Sequence, residues 1–89
     1  MSAAEVVMYS TGWCGFCARA RALLERKGIA FRDIDVEGEP GLREEMLKRS
    51  GRRSVPQIFI GVRHVGGFEE LYALERSGEL DRLLKQEKP

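Results

Sequence analysis

Apolar positions along the chain change period several times, and each change marks an element. Glu5 to Tyr9 (EVVMY) is a short β-branched run and reads as a strand, closed by a turn at Ser10-Thr11-Gly12. From Phe16 to Lys27 the pattern is helical: Cys17, Ala20 and Leu24 share a face, Arg21 and Glu25 are spaced for an i,i+4 pair, and Gly28 stops the helix. Ile29 to Val36 alternates as a half-buried strand does, with Ile34 between Asp33 and Asp35. Pro40 suits the first turn of a second helix reaching Ser50, with Leu42, Met46 and Leu47 inward and Gly51 at its end. Pro56 to Ile60 and Val62 to Val65 read as a hairpin turned at Gly61. Gly66-Gly67 opens a last helix whose apolar side is Phe68, Leu71, Tyr72 and Leu74. Ser77-Gly78 interrupts it, and Leu80, Leu83 and Leu84 form a short closing turn or helix. The order β-α-β-α-β-β-α, with a right-handed crossover joining parallel first and second strands, predicts an α/β fold: a mixed four-stranded sheet flanked by helices on both faces.

Composition narrows the classes. With 89 residues, the chain is expected to form one domain, 1–89, with a core from about 5 to 84 and a charged tail over 85–89. Hydrophobic residues make up 43% and charged residues 33%, as in an ordinary soluble domain. A net charge of +1 gives no footing for nucleic acid or a membrane surface. No apolar run approaches the roughly 20 residues of a membrane span, and the first residues carry no signal-peptide pattern. The expected location is therefore cytoplasmic.

The chemistry is concentrated in Trp13-Cys14-Gly15-Phe16-Cys17, which holds both cysteines of the chain, three positions apart, where strand passes into helix. A thiol at a helix N-terminus faces unpaired backbone amides, which favour the nucleophilic thiolate. A second thiol one turn on can close a disulfide with the first, so the pair reads as a reversible dithiol. The bland alternative is a structural zinc half-site or inert core cysteines. With no other cysteine and one histidine in the chain, a zinc site lacks its remaining ligands. His64 reads as a surface or packing residue. Arg19, Arg21, Arg26 and Lys27 read as a solvated helix face, with Arg19 open to orienting a protein substrate.

Three motifs at this spacing, Cys14-Gly15-Phe16-Cys17, Ser54-Val55-Pro56-Gln57-Ile58-Phe59-Ile60 and Gly66-Gly67-Phe68-Glu69-Glu70-Leu71, resemble those of glutaredoxins, within the thioredoxin-like fold. The resemblance covers Glu5 to about Leu84. It implies a glutathione-dependent oxidoreductase that reduces protein disulfides and glutathione mixed disulfides. Cys14 would be the nucleophile. Cys17, deeper and of higher pKa, would resolve the mixed disulfide. Pro56 would be cis, turning the Val55 backbone toward an extended substrate. Gly67 and the first amides of the last helix would receive a carboxylate of glutathione, with Glu69, or next Glu70, reading its ammonium group. Arg52 and Arg53 would meet the glycine carboxylate, although plain surface charge is as good a reading of them. Phe16, Trp13, Phe68 and Thr11 complete the expected groove.

Departures from the family pattern keep alternatives open. Thr11 stands where many glutaredoxins have a lysine, and Trp13 before Cys14 is more thioredoxin-like. Cys-Gly-Phe also begins the motif of monothiol, cluster-binding glutaredoxins. One alternative is thus a dimer holding a [2Fe–2S] cluster through Cys14 and glutathione; another is a redoxin recharged by thioredoxin reductase. Otherwise no metal is required and a monomer is expected. Implied partners are glutathione and oxidised or glutathionylated proteins, such as ribonucleotide reductase.

Overall fold

A computed structural model describes residues 5–85 and contains eight elements. They are β1 (Val6–Ser10), α1 (Gly15–Arg26), β2 (Arg32–Asp35), α2 (Leu42–Ser50), β3 (Gln57–Ile60), β4 (Arg63–Gly66), α3 (Phe68–Ser77) and α4 (Glu79–Lys85). The sheet order is β2-β1-β3-β4; β1 runs parallel to β2 and antiparallel to β3, and β4 closes a hairpin on β3. This is the mixed four-stranded sheet that the periodicity predicts.

Alternation along the central strands divides the core in two. Val6, Met8, Ile58 and Ile60 face one way and pack against Ala20, Leu23 and Leu24 of α1, Leu71 of α3, and Leu80 and Leu83 of α4. Val7, Tyr9 and Phe59 face the other way and pack against Met46 of α2 and Val36. Both faces of β1 and β3 are covered, so these strands are buried throughout. Polar groups fasten α2 to its face of the sheet. The Tyr9 hydroxyl donates to Glu45 at 2.6 Å and accepts from Arg49 at 3.0 Å. The Arg49 guanidinium lies 4.1 Å from the centroid of the Phe59 ring.

Several expectations are corrected. Ser10 continues β1 instead of opening the turn, because it pairs in register with Asp35 of β2. The second strand is shorter than 29–36. The second helix starts at Leu42 rather than Pro40, because Gly41 at φ +92° turns the chain into it. Val62 is a turn residue and Gly66 ends β4 instead of opening α3. Arg21 turns away from Glu25 to Asp33 on β2, with Nε 2.6 Å from the carboxylate, and donates to Ser10 Oγ. Lys27 is no solvated residue either: its ammonium bridges Glu75 at 2.8 Å and Asp81 at 2.9 Å, tying α1 to α3 and α4. Tyr72, expected on the apolar side of α3, is 46% exposed. Lys85 closes α4, and the rest of the expected tail lies outside the described residues. Among the described residues no helix is long and apolar enough to cross a membrane.

Candidate active site

Cys14 is the N-cap residue of α1, with extended backbone angles (φ −90°, ψ 117°) that leave its sulfur at the mouth of the helix. The Cys17 amide donates to Cys14 Sγ at 3.2 Å, and the Cys14 thiol lies 3.4 Å from the Val55 carbonyl. Both cysteines are free thiols; Cys14 is half-buried and Cys17 fully buried. Burial, reinforced by the hydrogen bond and charge of Cys14, pushes the Cys17 thiol up to about 12. The Thr11 backbone and the Arg21 charge act in the opposite direction. The two sulfurs therefore occupy opposed environments: one half-open to solvent and capped by an amide, the other dry.

The loop before β3 forms the opposite wall. Val55-Pro56 is a cis peptide, as the resemblance implies. Beyond it, Phe16, Arg52, Val55, Pro56, Gly67, Phe68 and Glu69 line one groove, together with Ser54 and Gln57. Seven of the residues expected at the site thus meet in one place. Three do not. Thr11 is buried, with its backbone turned to the Cys17 sulfur. Trp13 is 89% exposed and outside the groove lining, and Arg53 is exposed outside it as well.

Glu69 and Glu70 separate in role. The Glu70 carboxylate reaches back to the Gly67 amide at 2.7 Å and sits 3.7 Å from Arg52. That amide first, and Arg52 beside it, hold its carboxyl below the usual range. Gly66, at φ +118°, allows this: a Cβ there would meet the Glu70 carboxylate at 3.0 Å. Glu70 is therefore a cap, and Glu69 is the acid left facing the groove.

Ser54 and Gln57 belong to the second motif but carry no site role of their own in the sequence; their part appears only with His64 on β4. The buried Gln57 side-chain amide donates to the Ser54 carbonyl at 2.9 Å, which leaves its oxygen as acceptor for His64 Nε2 at 2.7 Å. His64 thus pins the loop that carries Val55. Burial first, and the Arg52 charge second, lower the pKa of its imidazole. A histidine less basic in the folded than in the unfolded chain binds fewer protons when folded, so stability declines as pH drops through and below the ordinary imidazole range. His64→Leu should cost about 1–3 kcal/mol in urea unfolding at pH 7, since it strands the buried Gln57 oxygen. His64→Gln, whose amide nitrogen mimics Nε2, should recover most of that loss and flatten this pH dependence. An equal loss in both variants would dismiss the link.

Comparison with known proteins gives one family throughout. The family model described as Glutaredoxin matches residues 6–65. A curated glutaredoxin of Pseudomonas aeruginosa is 53% identical over 79 residues, covering 89% of this chain and 94% of its own length. The solution structure of a Brucella melitensis glutaredoxin superposes with a TM-score of 0.85 at 54% identity, covering 100% of this chain and 97% of that one. A buckwheat glutaredoxin–glutathione complex superposes at 0.83 with 30% identity, over 91% of this chain and 76% of that one.

Proposed function

The chain belongs to the glutaredoxin family of thiol–disulfide oxidoreductases, and from this premise we propose that Cys14 and Cys17 form its working couple, with the groove beside Val55 seating glutathione. The observation that carries the reading is the pairing of a half-exposed, amide-capped sulfur with a buried one a turn away.

Cys14 as thiolate attacks one sulfur of a substrate disulfide. The Cys14–substrate bond forms, the substrate S–S bond breaks, and the departing thiolate takes up a proton. For a protein disulfide, Cys17 loses its proton and attacks Cys14 Sγ. The reduced protein leaves, and its two electrons have come from the dithiol, now a Cys14–Cys17 disulfide. Two molecules of glutathione restore the dithiol and leave as glutathione disulfide. For a glutathionylated protein, Cys14 takes the glutathionyl group, and a second glutathione removes it. The Val55 backbone, set beside Cys14 by the cis peptide that follows it, supports strand-like pairing with the cysteinyl part of glutathione. Arg52, Glu69 and the first-turn amides of α3 beyond the Gly67 amide, which Glu70 holds, supply complementary charge for its ends.

Recycling separates this reading from a redoxin served by thioredoxin reductase. With a glutathionylated substrate, NADPH consumption should be sustained by glutathione and glutathione reductase, and not by thioredoxin reductase alone. The reverse pattern would overturn the assignment of the groove.

A dimeric [2Fe–2S] carrier is the second reading. It is favoured by the half-exposed Cys14 and by the open space next to it, where even a Cβ added to Gly15 would meet no atom within 4 Å. Cys14 fits as one ligand per chain. Visible absorption and a dimer after anaerobic reconstitution with iron, sulfide and glutathione would support it; a colourless monomer would exclude it.

A further inference from the structure

The outward faces of α1 and α3 carry a continuous row of aromatic rings edged by arginines. On α3, Phe68, Tyr72 and Arg76 recur one turn apart; on α1, Arg19, Ala22 and Arg26 do likewise. Phe16 stacks on Phe68 with centroids 6.3 Å apart, and Phe68 on Tyr72 at 5.7 Å. Arg19 lies 5.5 Å from the Phe16 centroid and Arg76 lies 5.9 Å from that of Tyr72. Arg26 joins Phe68 and Tyr72 around a shallow hollow between the helices.

Arginines beside half-exposed rings set this surface apart. Arg21, Lys27, Arg32, Arg43, Arg52 and Arg82 each have a carboxylate within 4 Å; among the described residues Arg19, Arg26 and Arg76 have none, and neither do Arg53 and Arg63, which stand away from these rings. Arginines stacked on half-exposed rings and left without counter-charges complement a partner that is both acidic and aromatic. The row is also continuous with the groove, because Phe16 and Phe68, its first two rings, line the groove, and Phe68 lines the hollow as well.

We infer that this strip docks the segment of a protein substrate flanking its reactive cysteine, and that it selects acidic and aromatic residues there. The inference rests on the reading of Cys14 as nucleophile. Two ring-to-ring steps correspond to roughly four residues of extended chain at about 3.3 Å each. The selected residues therefore fall within about four positions of the substrate cysteine. Glutathione, held in the groove alone, does not reach Tyr72 or Arg76.

The test uses two glutathionylated peptides that share a tyrosine and differ in carrying glutamates or lysines two to four positions from the cysteine. The mixed disulfide of glutathione and 2-mercaptoethanol serves as a substrate with no peptide. The unaltered protein should favour the acidic peptide in kcat/KM by roughly 5- to 20-fold, mostly through KM and less so at high salt. The double variant Arg26→Glu/Arg76→Glu should level or invert that preference while turning over the small mixed disulfide at an unchanged rate. Equal rates on the two peptides, or a preference that survives charge reversal, would overturn the inference. So would charge reversal that abolishes only binding to phosphatidylserine vesicles, which would assign the strip to a membrane surface. If the unaltered protein fails to turn over the small mixed disulfide, the Cys14 reading falls first and takes the docking with it.

Discussion

Cys14→Ser is expected to lose turnover of protein disulfides and glutathione mixed disulfides alike, by at least about a thousandfold. The reason is chemical rather than structural. A serine hydroxyl cannot form the mixed disulfide, yet serine is a favoured N-cap and can accept the hydrogen bond that the Cys17 amide now gives to sulfur. The thermal midpoint should therefore stay within a few degrees of the parent, which separates lost chemistry from lost fold. NADPH consumption in the glutathione-coupled assay measures the first and a thermal melt the second. Retained turnover in a folded Cys14→Ser protein would place the nucleophile elsewhere.

Cys17→Ser should divide the two activities. Reduction of a protein disulfide should fall by about a hundredfold or more, because nothing then attacks Cys14 from within. Turnover of a glutathione mixed disulfide should stay within several-fold, since external glutathione performs that step. The environment of Cys17 adds a pH signature. Its thiol is held high by burial first, then by the hydrogen bond and charge of Cys14. Once Cys14 is bound in a mixed disulfide, its charge is gone, and the Thr11 backbone and Arg21 act against burial alone. Release of the Cys17 proton becomes easier at the stage where its thiolate is needed, and the internal step should still accelerate as pH rises. Single-turnover release of a reduced protein substrate, followed against pH, should show this rise in the parent and not in Cys17→Ser. Equal loss of both activities would instead give Cys17 a packing role.

What the sequence discloses about this site depends on how local the responsible contact is. Cys14 and Cys17 are legible because they sit where strand passes into helix, whereas Val55, Pro56 and Gly67 are reached through the motifs that resemble those of glutaredoxins. The sheet is legible because Val6 to Tyr9 and Ile58 to Ile60 are apolar on both faces. Long-range polar partners carry no such periodicity. Arg21 has a plausible partner four residues away and takes Asp33 on β2 instead, since that carboxylate and Ser10 lie together across parallel strands. Gln57 and His64 look like ordinary polar residues until the hairpin brings them face to face. Glu69 and Glu70 are interchangeable by composition, and the reach of Glu70 back to the Gly67 amide separates them. Thr11, read as a ligand contact, is buried, with its backbone toward the Cys17 sulfur.

The strand order has one more consequence. With β1 and β3 inside, the free backbone edges belong to β2 and β4, and each bears charge or a bulky polar group: Arg32, Asp33 and Asp35 on one, Arg63 and His64 on the other. Open edges invite pairing with any extended chain, and ionised side chains on short strands discourage it. Guarded at both borders, this sheet discourages strand addition at its edges, away from the Val55 segment that lies beside the Cys14 sulfur.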